Sequence, residues 1–98
     1  MDFDAFRQST RNDAPPAGLD LAVQALWWDA KGDWDRAHTL ADKDHDRRGS
    51  WVHAYLHRKE GDRGNAGYWY RRAGKPMPAK ATLDEEWAQI AQTLLDGG

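Results

Sequence analysis

Gly61-Asp62-Arg63-Gly64-Asn65-Ala66 repeats a pattern that the chain first presents at Gly32-Asp33-Trp34-Asp35-Arg36-Ala37: glycine, aspartate, three residues, alanine, at an offset of 29 positions. Glycine accepts the left-handed conformation that ends a helix, and the aspartate after it offers a carboxylate to the free amides that begin the next. Each copy lies between two runs with helical spacing of apolar residues. The chain therefore reads as two helical hairpins, at 19–46 and 50–74.

Outward from the first copy, Leu19 to Lys31 is apolar around most of its circumference and should be the most buried helix. Asp33 caps the next, which carries Trp34, Ala37, Leu40 and Ala41 on one side and reaches about Asp46. Arg47-Arg48-Gly49 reads as a turn, with Ser50 capping a helix from Trp51 to Glu60. Asp62 opens a fourth, whose apolar stripe is Ala66, Trp69, Tyr70 and Ala73, with Asn65, Tyr68 and Arg72 on the neighbouring flank. Pro76 and Pro78 make a rigid loop. Thr82-Leu83-Asp84-Glu85 then forms a capping box for a last helix over 82–96, with Leu83, Trp87, Ile90, Ala91 and Leu94 on one face. Residues 1–16 form an arm with a short helix, stopped at Ala14-Pro15-Pro16; residues 17–98 form one helical domain.

Composition agrees. Fifteen alanines stand against three valine and isoleucine residues and four threonines, which favours helices over a sheet. Leu, Ile, Val and Phe together number only thirteen, and six tryptophans with three tyrosines supply the rest of the apolar bulk. The absence of cysteine removes disulfides and thiolate metal sites and suggests a cytoplasmic setting. No window approaches the ~20 apolar residues of a membrane span. The net charge of −2 conceals a strong asymmetry: residues 1–46 sum to −5, 47–80 to +7 and 81–98 to −4.

The second hairpin continues Ala66-x3-Tyr70-x2-Ala73-x4-Pro78, which resembles the small–aromatic–small–proline pattern of a tetratricopeptide repeat. Asn65-Ala66-Gly67-Tyr68-Trp69-Tyr70-Arg71-Arg72-Ala73 is also similar to the second helix of the related Sel-type repeats. The resemblance covers roughly residues 19–78. It implies antiparallel hairpins in which small residues at 37, 66 and 73 permit close approach, and a partner surface at Trp51, Tyr55, Arg58 and Lys59. The offset of 29 is shorter than the ~34-residue tetratricopeptide period, and only two units are present, so a compact all-α bundle of about five helices with a C-terminal capping helix is expected rather than an open superhelix. His57 to Gly74 resembles a group of small bacterial and fungal proteins of unassigned activity, which implies a fold and no function.

Three constellations are candidates for chemistry. His53 and His57 stand one turn apart with Glu60 a turn further, a spacing able to hold a divalent metal, with His38, Asp42 or His45 available to complete it. The residues between the histidines, Ala54-Tyr55-Leu56, exclude the H-E-x-x-H protease signature. Asp42-Lys43-Asp44-His45-Asp46 begins like a calcium loop, but Arg47 stands where the turn glycine is required. Arg58, Lys59, Arg63, Arg71, Arg72 and Lys75 gather around Tyr68, Trp69 and Tyr70, a mixture suited to carboxylate or phosphate.

The leading expectation is a non-enzymatic interaction module. It would bind an acidic peptide or protein segment through His53, His57, Arg58, Asn65, Tyr68, Arg71 and Arg72, with no cofactor and no membrane. The alternative is a small metal-dependent or histidine-based enzyme centred on His53, His57 and Glu60. A weak nucleic-acid or phosphate-ligand binder comes third, nucleic acid being disfavoured by the overall charge. Exposed hairpin ends make self-association a further expectation.

Overall fold

Aspartate begins nearly every helix. The computed structural model describes residues 1–97, and the six helices are α1 (Phe3–Ser9), α2 (Leu21–Ala30), α3 (Trp34–Lys43), α4 (Arg47–Glu60), α5 (Arg63–Ala73) and α6 (Leu83–Leu95). Asp2, Asp20, Asp33, Asp46 and Asp62 cap the first five by accepting backbone amides, and Thr82 caps α6 in a reciprocal box with Glu85. No strand occurs among the described residues. Among those residues no helix is long and apolar enough to cross a membrane.

The start of α4 departs from the sequence reading. Its cap is Asp46, which accepts from the amides of Arg48 and Gly49, so Arg47, Arg48 and Gly49 form its first turn and Ser50 is a buried interior residue. The second hairpin thus begins at 47 rather than 50, and α3 ends at Lys43 rather than near Asp46. The reason is steric. A Cβ at position 49 would collide with the side chain and carbonyl of Asp44, so glycine here lets the connection from α3 lie directly on the new helix.

α4 is the axis of the molecule. It packs against α2, α3, α5 and α6, and every residue from Gly49 to His57 is buried. Ala37 and Ala41 of α3 and Ala66 and Ala73 of α5 are buried small residues that let these helices approach. Trp27 and Leu26 of α2 and Ile90, Ala91 and Leu94 of α6 complete the core. The arm helix α1 docks on its own chain: Phe6 is fully buried and stacks on Trp87 at 5.7 Å. The indole N–H of Trp27 donates to the Ser9 hydroxyl.

Candidate functional site

Two carboxylates are buried against α4, and both are satisfied. Asp29 of α2 accepts from Tyr55 Oη at 3.0 Å and from Lys59 Nζ at 2.9 Å. Glu86 of α6, only 1% exposed, accepts from Arg58 Nη1 at 2.8 Å and Tyr70 Oη at 2.5 Å. Burial, reinforced by these carboxylates, holds both tyrosine hydroxyls well above their ordinary pKa. Nothing in the sequence marks Asp29 and Glu86 as internal partners. They account for part of the charge asymmetry, since an acid from the first segment and one from the last neutralise Lys59 and Arg58 of the basic middle.

A third polar flank of α4 differs. His53 and His57, one turn apart, meet His38 of α3, and no pair of their ligand nitrogens is more than 4.8 Å apart. Indoles wall the cluster: Trp34 stacks on His38 at 4.9 Å, and Trp69 of α5 lies nearly parallel to His53 at 3.8 Å. Trp34 is itself fixed by donating its N–H to the Leu56 carbonyl at 2.9 Å. His38, half-buried, is the edge at which the cluster meets solvent.

His53 is 3% exposed, and its Nδ1 is buried without a hydrogen-bond partner. Burial first, then the neighbouring His38 and His57 and the charge of Arg72, together lower its pKa to about 4, with Asp42 only partly offsetting them. At neutral pH its ring is therefore uncharged, the form that ligates metals. His57 Nδ1 lies 2.5 Å from Glu60 Oε2. With the carboxylate ionised, that nitrogen carries the proton and donates, which leaves the lone pair on Nε2.

The predicted site residues thus separate into four environments. His53 and His57 face His38 in the interior. Glu60 is no third member of that triad but a partner to the outer side of His57. Arg58 is held by Glu86 and by the Ala81 carbonyl, and Asn65 Nδ2 donates to Asp62 at the start of α5. Tyr68, Arg71 and Arg72 are exposed, as is Asn65: Tyr68 is 45% exposed, and Arg72 donates to its hydroxyl at 3.1 Å while lying over the Trp69 ring. Of the remaining candidates, Asp42 acts on His53 through its charge alone, and His45 joins no ligand group among the described residues. Of the partner surface implied by repeat resemblance, Trp51 and Tyr55 are buried, while Arg58 and Lys59 are tied to Glu86 and Asp29. The signal for His38 in the sequence is its position one turn after Trp34, on the side of α3 that faces α4.

Comparison with models of protein families, with curated proteins and with solved structures finds no match to this chain.

Proposed function

We propose that this chain is a metal-binding helical module in which His38, His53 and His57 hold a divalent transition metal. The observation that carries the reading is the partnerless Nδ1 of His53, buried in a cluster of three imidazoles. An orphaned buried polar atom costs about 1–3 kcal/mol, and a ligated cation is one group that would relieve it. Three nitrogens with no thiolate suit zinc, nickel or copper. Tetrahedral coordination sets ligand nitrogens about 3.3 Å apart, so the cluster must contract by up to about 1.5 Å. His38 can supply most of that from the half-buried edge. Three protein ligands leave a fourth position for water or an incoming group. Because the ligands come from α3 and α4, a bound ion would fasten the first hairpin to the second.

The test is cobalt and zinc titration of the purified chain. Tetrahedral visible absorption from Co2+, displaced by one equivalent of Zn2+ and lost in His38→Ala and His57→Ala, is the expected result. An unaltered spectrum in either variant, or no stoichiometric binding, overturns the reading. Zinc at a hundred times its Kd should add about 2.7 kcal/mol to folding stability.

The same reading treats α2–α3 and α4–α5 as tetratricopeptide-like hairpins with α6 as the capping helix; the buried alanines at 37, 66 and 73 support this. A second reading, recognition of an acidic peptide, is favoured by the exposed Tyr68 with Arg72 folded against it. Fluorescence anisotropy with an oligoglutamate peptide tests it. Reversal of Arg71 and Arg72 to glutamate should abolish binding, and equal affinity for both proteins would dismiss that surface.

A further inference from the structure

A second cleft, at the C-terminal end of α5, has no histidine among its lining residues, and its chemistry is anionic recognition. It occupies about 240 Å³ where the first turns of α4, the end of α5 and the last turn of α6 meet, and Arg47, Arg48, Trp51, Gly74, Lys75 and Leu94 line it. No carboxylate is among its lining residues. Arg48 is already paired, through Nη2, with Asp20. Arg47 and Lys75 have no carboxylate within ion-pair distance among the described residues. Two cations with no counter-charge therefore border one concavity, with a third beside them.

The end of α5 does not supply the missing partner. The amides of Gly74 and Lys75 close on the carbonyls of Arg71 and Tyr70 at 3.1 and 3.0 Å, so those acceptors are already engaged. Gly74 closes α5 at φ +71°, and the Arg47 guanidinium lies alongside it, Nη1 standing 3.7 Å from where a Cβ would be, an ordinary contact distance. Lys75 is positioned by the Trp51 indole, its Nζ 4.4 Å from the ring centroid. A cation held on an aromatic face keeps its outward N–H groups free for an anion. Trp51, Ala73 and Leu94 give the cleft an apolar floor beneath its charged rim.

We propose that this cleft binds a phosphate group, gripped by Arg47 and Lys75 with Arg48 adjoining, and that the apolar floor accepts a small organic body attached to it. A guanidinium fork and an ammonium together match a tetrahedral dianion in both charge and donor geometry. The site uses none of the histidines, so it stands or falls separately from metal binding.

The experiment is a titration of isotopically labelled protein at constant ionic strength, reading the Trp51 indole N–H and the amides of Gly74 and Lys75 by NMR. The probes are phenyl phosphate, inorganic phosphate and phenol. Saturable shifts with a phosphate-bearing probe and none with phenol are expected, and the ratio of the two phosphate affinities distinguishes a free ion from an organic monoester. Arg47→Gln with Lys75→Gln, at exposed positions, should weaken binding at least tenfold, while Arg63→Gln on α5 leaves it unchanged. Absence of saturable shifts, undiminished affinity in the double variant, or an equal loss in Arg63→Gln overturns the proposal.

Discussion

Replacing His53 by phenylalanine should stabilise the metal-free protein in acid and leave it no weaker at neutral pH. The benzene ring can keep the stack on Trp69, now at 3.8 Å between centroids, while removing a buried nitrogen that has no partner. Relief of that atom contributes up to about 1–3 kcal/mol, offset by imperfect packing of the new ring. The pH dependence is sharper. The His53 pKa is about 4 in the folded protein against 6.5 for the free side chain, so below 6.5 the unfolded chain takes up a proton that the native one refuses. Its contribution to stability is thus fully present above pH 6.5, is lost progressively as pH falls, and levels off below about 4. One pKa unit corresponds to about 1.4 kcal/mol, so by pH 4.5 wild type has lost about 2–3 kcal/mol through this group. At 3% exposure there is little solvent to screen it. Urea denaturation at pH 7.5 and 4.5, followed by tryptophan fluorescence with chelator present, measures the difference. His53→Phe should show a smaller fall between the two pH values by that amount, and zinc should no longer stabilise it. A loss of more than about 1 kcal/mol at pH 7.5 would mean that the imidazole makes a bond worth keeping, and would refute the orphan argument.

Other substitutions test the supporting structure. Glu86→Gln removes the charge facing Arg58 inside the fold and should cost about 3–5 kcal/mol by chemical denaturation; a change under 1 kcal/mol would show the pair to be solvated. Gly49→Ala should destabilise by about 1–3 kcal/mol despite alanine's better helix propensity, because the added methyl meets Asp44. A higher melting temperature would mean that the connection before α4 moves aside. Phe6→Ala should cost about 3–5 kcal/mol, and unchanged stability would show that the arm helix contributes no core.

The helical class and most helix boundaries are legible in the sequence because they rest on local rules. Asp33 and Asp62 cap where they are expected, and Thr82 with Glu85 makes the anticipated box. The start of α4 is misread because Gly49 looks like a turn residue when only its neighbours in sequence are considered. Its actual constraint is Asp44 folding back across the helix, which no periodicity records. The grouping of surface residues is the least legible part. Wheel positions put His53, His57, Arg58, Asn65, Tyr68 and Arg72 near one another, but which of them reach solvent depends on what α3 and α6 bring to α4. Glu86 and Asp29 stand in apolar helices thirty residues or so from the cations they neutralise, and no spacing announces such pairs.

α4 itself shows why the histidines are the exception that calls for a ligand. A fully surrounded helix can carry polar residues only if each neighbouring element answers them. α2 answers Tyr55 and Lys59 with Asp29, and α6 answers Arg58 with Glu86. On the remaining side, α3 and α5 offer His53 Nδ1 no hydrogen-bond partner, only another imidazole, an indole face and the non-bonded charges of Asp42 and Arg72. Apolar side chains would fill that space at lower cost, since aromatic stacking needs no ring nitrogen. Three mutually facing imidazoles are a poor solution to packing and a good one to coordination. The comparison between His53→Phe and wild type, with and without zinc, therefore asks of one residue whether stability or ligation accounts for it.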